Sequence, residues 1–179
     1  MNERKGKFIQ TFTGIYFYPL DPRLEDIVIE DIAHALSNQC RFSGHSKHFY
    51  SVAQHCVYVS TQCGIHSLTG LLHDASEAYL VDVPRPIKSE FPNYLNIEKN
   101  IMSLIAKKFG IQFPFPDSVT LVDNQMLWVE KKNVMSVDCN WSQDIKPELT
   151  PNQQGMIIPV WSPEVSKSMF LDRFYSLYK

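Results

Sequence analysis

A mainly α-helical single domain is the fold class this sequence predicts, on three observations. Apolar residues recur at three- and four-residue spacing through most of the chain beyond residue 26, the period of helices with one buried face. Proline and glycine fall at the edges of those stretches, where they start or stop helices. The strand-favouring mixture of Thr, Tyr, Phe and Ile is gathered in one short arm, residues 7–19, around Gly14.

Taken in order, residues 7–19 read as a small N-terminal β element, a hairpin or extended arm, followed by a turn at Asp21-Pro22-Arg23. Ile29, Ile32, Ala33 and Leu36 predict a helix from Glu25 to Asn38, and residues 39–47 a loop. Ser51 is a helix cap for a segment ending near Gly64, with Val52, Cys56, Val59 and Cys63 facing inward. A second helix is expected from Ser67 to Leu80, then an irregular connection over 81–92 with three prolines. Ile97, Ile101, Leu104 and Ile105 predict a helix from Tyr94 to Phe109, stopped by Gly110. Asp117 or Ser118 should cap the next, which runs to Val134. Residues 138–160 read as a long surface excursion. Ser162-Pro163-Glu164 then opens a last helix whose buried stripe is Val165, Met169, Phe170, Phe174 and Leu177. The 179 residues thus form one domain: β arm 7–19, helical core 26–135, and C-terminal loop and helix 138–179.

Composition narrows the function classes. With 44% hydrophobic and 20% charged residues and a formal charge of −2, the chain reads as a soluble globular protein. The charge argues against broad electrostatic binding of nucleic acid or an anionic membrane. No apolar stretch resembles a signal peptide or a membrane span. Cys40, Cys56, Cys63 and Cys139 form no CxxC pair and read as reduced structural thiols, so the expected location is the cytoplasm.

Chemistry concentrates in LLHDASEAYLVDVPRPIK, residues 71–88. His73 and Asp74 stand side by side within an apolar helix, a costly arrangement unless a divalent cation compensates it. Glu77 lies one turn beyond His73 on the same face, where a general acid or base would sit. Two ligands do not fix a catalytic ion. His55 from the preceding helix and Asp123 from the helix after the double-proline loop complete a set of two nitrogen and two oxygen donors, with further positions left to water and substrate.

This His…His-Asp…Asp set resembles that of the HD-domain superfamily of metal-dependent phosphohydrolases. CRFSGHSKHFYSVAQHCVYVS and HDASEAYLVDVPRPIK are similar to its 5′-deoxynucleotidase branch, over roughly residues 26–135. The resemblance implies an HD-domain helical bundle and one divalent ion (Co, Mn, Zn, Fe or Ni, or else Mg) held by His55, His73, Asp74 and Asp123. It implies that Glu77 polarises or protonates at the reacting phosphate and that Asp82 lies near the attacking water and sugar hydroxyl. Arg41 would hold the phosphate, with Phe42 in place of the Trp that related nucleotidases carry, and Glu130 also matches. The implied activity is 5′-dephosphorylation of deoxyribonucleoside monophosphates by a homodimer or larger homo-oligomer. A nucleoside triphosphohydrolase and a metal-stabilised interaction protein without turnover stand as alternatives. His45, His48, Arg85 and Lys88 flank the motif and could meet phosphate oxygens or simply be solvated. His34 reads as a core or interface residue, and His66 as a helix start without chemistry.

Overall fold

The computed structural model describes residues 4–141 and 147–179. It is mainly helical, with one two-stranded antiparallel sheet at the N-terminus. Strand β1 (Ile9–Gln10) pairs with β2 (Tyr16–Phe17), and Gly14 turns between them at φ 90°. Phe17 is fully buried and stacks on Tyr79 at 3.9 Å. The buried Asp31 accepts from the Thr13 amide (2.7 Å) and hydroxyl (2.8 Å), so the hairpin is tied to the first helix.

That helix, α1 (Ile29–Asn38), begins four residues later than Glu25. Ile27 and Val28 are extended, which drives Ile27 into the core, and only a single turn at Leu24–Asp26 precedes them. Helix α2 (Val52–Gln62) is capped as expected, the Ser51 hydroxyl accepting from the Gln54 amide at 3.1 Å. It forms the centre of the fold and packs against α1 and against three helices that follow it.

Helix α3 (Ser67–Leu72) crosses α2 so closely that a Cβ on Gly70 would lie 2.7 Å from Cys63 Sγ. Glycine is the residue that permits this approach. The expected single helix over 67–80 is instead broken. After Leu72 the chain tightens, with the amides of Ala75, Glu77 and Ala78 each bonding three residues back, before α4 (Glu77–Leu80). The reason is local: the Gly70 carbonyl, which a regular helix would offer to Asp74, accepts from His73 Nδ1 at 2.8 Å. His73 and Asp74 therefore occupy a tight turn between helices.

The connection over 81–92 holds a short helix, α5 (Arg85–Lys88), with a proline in its permitted first turn. Helix α6 (Pro92–Phe109) starts two residues earlier than expected because Pro92 serves at its first position. Gly110 ends it at φ 66°, in the left-handed region. Helix α7 (Asp117–Val134) is preceded by Pro116 as its cap residue, and neither Asp117 nor Ser118 caps it.

Of the expected excursion over 138–160, residues 142–146 lie outside the described residues. The remainder includes α8 (Pro151–Gln154), closed by a reciprocal Thr150–Gln153 capping box. Gln153 and Ile158 are buried there. Helix α9 (Pro163–Leu177) is capped by Ser162 as expected. Its buried stripe is Ser166, Phe170 and Phe174; Val165 and Met169 face outward and Leu177 is half-buried. Four-residue steps from either 165 or 166 make a stripe, and the larger rings of Phe170 and Phe174 take the buried one. Among the described residues no helix is long and apolar enough to cross a membrane.

Candidate metal centre and adjoining cleft

Three elements bring the ligand candidates together: α2 carries His55, the turn after α3 carries His73 and Asp74, and the second turn of α7 carries Asp123. His55 Nε2 lies 3.2 Å from His73 Nε2 and 3.1 Å from Asp123 Oδ1. Asp74 Oδ2 stands 3.3 Å from His73 Nε2 and 3.7 Å from His55 Nε2, and His73 Nε2 is 3.7 Å from Asp123 Oδ1. Donors about 2.1 Å from a shared ion stand about 3.0–3.4 Å apart when adjacent in octahedral or tetrahedral coordination. His55, His73 and Asp123 form the tightest such group, with Asp74 beside it. The residues fit a divalent cation.

The orientation of both imidazoles supports the same reading. His55 is fully buried, and its Nδ1 faces Glu130 Oε1 at 2.5 Å. Tyr50 donates to that oxygen at 2.9 Å. His73 directs Nδ1 to the Gly70 carbonyl, so both rings turn Nε2 toward the shared point. Fixing the far nitrogen of a metal-ligating histidine in this way sets its tautomer and raises its basicity.

The electrostatics ask for positive charge at that point. Burial disfavours a protonated His73, but the carboxylates of Asp74 and Asp123 outweigh it and hold the pKa well above the ordinary imidazole value. For His55, burial and Arg41 pull down, while Glu130 and Asp123 prevail and raise it. Burial pushes Asp123 up, yet hydrogen bonds from both histidines hold it well below the carboxylate range. A proton or a metal cation satisfies such a cluster. Burial pushes the neighbouring Cys56 thiol up to about 11, so it remains a thiol within the core, as the sequence suggested.

A cleft of about 450 Å³ opens beside the ligands, and His73, Asp74, Glu77 and Asp123 are among the residues that line it. Glu77 is buried, and desolvation together with the charges of Asp74 and Asp82 raises its pKa well above normal. Its proton is therefore held more tightly than that of an exposed glutamate. Asp82 is more exposed and pairs with Lys88 at 3.0 Å. Lys88 lines the cleft and reaches Glu98 at 2.8 Å as well.

Arg41 is ion-paired with Glu130 (3.1 Å) and approaches Asp74 (3.7 Å), which puts it against the ligand cluster. Phe42 lies under the Arg41 guanidinium at 5.5 Å and faces Trp141 at 6.3 Å; neither it nor Arg41 is among the residues lining the cleft. Phe42 and Ser43 hold φ of 54° and 51°, and Gly44 of 81°, a left-handed turn directly after Arg41. Of the flanking residues, His45 and His48 are exposed and Arg85 reaches Asn124 at 3.5 Å. His34 is half-buried, stacked on Phe12 at 3.9 Å, and His66 ends a short turn before α3.

Glu130 matches the family pattern in the sequence, but sequence reasoning assigns it no role. The available signal was its position seven residues after Asp123, two turns along the same face of α7.

No protein-family model matches the chain. It is 37% identical over 171 residues to a protein of Escherichia coli K12 described as "Uncharacterized protein YfdR", an alignment covering 95% of each chain. The chain belongs to the YfdR family. "Uncharacterized protein RCAP_rcc00048" of Rhodobacter capsulatus is 34% identical over 108 residues, covering 54% of this chain and 55% of that one.

Proposed function

We propose that this protein is a metal-dependent phosphohydrolase of the HD type that removes the 5′-phosphate from deoxyribonucleoside monophosphates. The observation that carries the reading is the approach of His55, His73 and Asp123 donor atoms to 3.1–3.7 Å of one another, with Asp74 3.3 Å from His73 and 3.7 Å from His55, next to an open cleft lined by the buried Glu77. His55, His73, Asp74 and Asp123 would hold one divalent ion. When bound, it supplies positive charge for the phosphoryl oxygens and lowers the pKa of a water.

The chain's own residues do the rest. Glu77 carries the proton that the departing 5′-oxygen requires as the phosphorus–oxygen bond breaks. Arg41, 3.7 Å from Asp74, is close enough to offer its Nη1 to a phosphate oxygen, and Phe42 beneath it fixes the guanidinium plane. Asp82 orients Lys88 at the cleft edge. Charge favours one phosphate over three: among the described residues that line the cleft, the carboxylates of Asp74, Glu98 and Asp123 stand with the cations Lys88 and Lys99. A dication would leave these groups with a small positive excess, enough for one phosphate group and too little for a triphosphate.

The test is to incubate the purified protein with deoxyribonucleoside mono- and triphosphates, with Co²⁺, Mn²⁺, Zn²⁺ or Mg²⁺ and with a chelator. Metal-dependent release of orthophosphate from monophosphates is expected. Release of tripolyphosphate would establish a triphosphohydrolase instead. No turnover with any substrate and ion would leave a metal-stabilised interaction protein.

A further inference from the structure

A second set of residues lining the same cleft has a different character. Phe113 and Phe115 come from the loop between α6 and α7, Leu95 and Met102 from α6, and Val119 from α7. The two phenyl rings stand 5.1 Å apart at 73°, so together they present both a face and an edge. Phe115 packs on both core clusters and Phe113 on one, while Pro114 and Pro116 fix the backbone on either side of Phe115. These rings are therefore set in place before any ligand arrives. Thr120 and Lys99, both exposed, line the same cleft.

We infer that this set of residues is the leaving-group subsite: the base of a nucleotide lies against Phe113 and Phe115, its polar edge reaching Lys99 and Thr120. The inference rests on the phosphohydrolase reading and adds what that reading leaves open, the means by which the leaving group is chosen. A bare sugar phosphate has no flat apolar surface to cover the rings. An alkyl chain could cover them but would make no hydrogen bond to Lys99 or Thr120, which would stay bonded to water. A heteroaromatic base meets both requirements. The shared cleft joins this set to His73, Asp74 and Glu77, so one molecule can touch both.

Base–aromatic stacking of the usual strength corresponds to roughly 5- to 100-fold in affinity per ring. Two measurements on the metal-loaded protein separate this proposal from the reading beneath it. In turnover, the ratio of kcat/KM for deoxyadenosine monophosphate over deoxyribose 5-phosphate should fall roughly 5- to 100-fold in Phe115→Ala and be kept in Phe115→Tyr. Thr120→Trp, at an exposed position where folding is not at risk, should lower the same ratio by filling the cleft. In calorimetry, unphosphorylated deoxyadenosine should bind the wild type and bind Phe115→Ala several-fold more weakly. An unchanged ratio in both Phe115→Ala and Thr120→Trp overturns the subsite even if hydrolysis is confirmed. Deoxyadenosine binding that depends on Phe115 without any hydrolysis would keep the subsite and remove the proposed reaction. Failure of deoxyadenosine to bind wild type up to about 10 mM also overturns the subsite.

Discussion

Two parts of the cleft lining are built by different means. On the ligand wall every imidazole has its far nitrogen fixed, His55 by the fully buried Glu130 and His73 by the Gly70 carbonyl, and both rings sit within the packing of α2. Elsewhere in the cleft the charged groups are half-exposed or exposed, and Lys88, on the short α5, is positioned by Asp82 and by Glu98 of α6. An ion site tolerates displacements of tenths of an ångström only, so its donors belong in the core. A surface that meets varied ligands can be built from loops.

The contrast is broken most severely by removing a ligand. Asp74→Ala should abolish both stoichiometric metal binding and turnover, as read by elemental analysis and phosphate release; retained metal would remove Asp74 from the ligand set. Glu77→Gln should keep the ion yet lose roughly 100- to 10,000-fold in kcat, the usual span for general acid–base catalysis. Loss of the ion in that variant would make Glu77 a ligand, and more than half of wild-type kcat would end its proton role.

Glu130→Gln tests the support behind the ligand wall. Metal affinity should drop about 10- to 100-fold with the ligands themselves intact. A competition titration against a chelator measures it, and unchanged affinity would reduce Glu130 to a packing residue.

Protonation sharpens the comparison further. The raised pKa values of His55 and His73 mean that the metal-free protein gains stability from the protonated rings below about pH 6.5 and loses it as pH rises through the folded-state values. Asp123, held well below the carboxylate range, stays ionised throughout that window. Metal binding requires the deprotonated rings, so the Tm difference between ion-loaded and chelated protein should widen with rising pH. A constant difference from about pH 6 to 9 would show that these rings do not take up the ion.

At the cleft edge, Lys88→Met should change Tm little, because partly exposed pairs such as Lys88–Asp82 and Lys88–Glu98 contribute about 0–1 kcal/mol each. A large loss would place Lys88 among the structural residues.

The same division decided what could be read from the chain beforehand. The Ser51 and Ser162 caps and the Gly110 stop are local features, and each is found where its neighbours implied. The break after Leu72 was hidden because it arises from one side-chain bond, His73 to the Gly70 carbonyl, inside an otherwise helical pattern. The stripe of α9 was misjudged by a single residue, since Val165 and Met169 repeat with the same spacing as Ser166 and Phe170. The aromatic wall was illegible for another reason. Its members come from α6, α7 and the loop between them, and nothing in their spacing says that they line one cleft with His73.

The left-handed turn that follows Arg41 carries a consequence for anyone who would stabilise the protein. Phe42 and Ser43 each adopt a backbone region that side chains disfavour by about 1–2 kcal/mol. Ser43→Gly would relieve part of that cost, and a screen for thermal tolerance would select it. The same substitution frees the hinge that aims Arg41 at Asp74 and Glu130, so robustness gained there would be exchanged for a looser guanidinium and slower turnover.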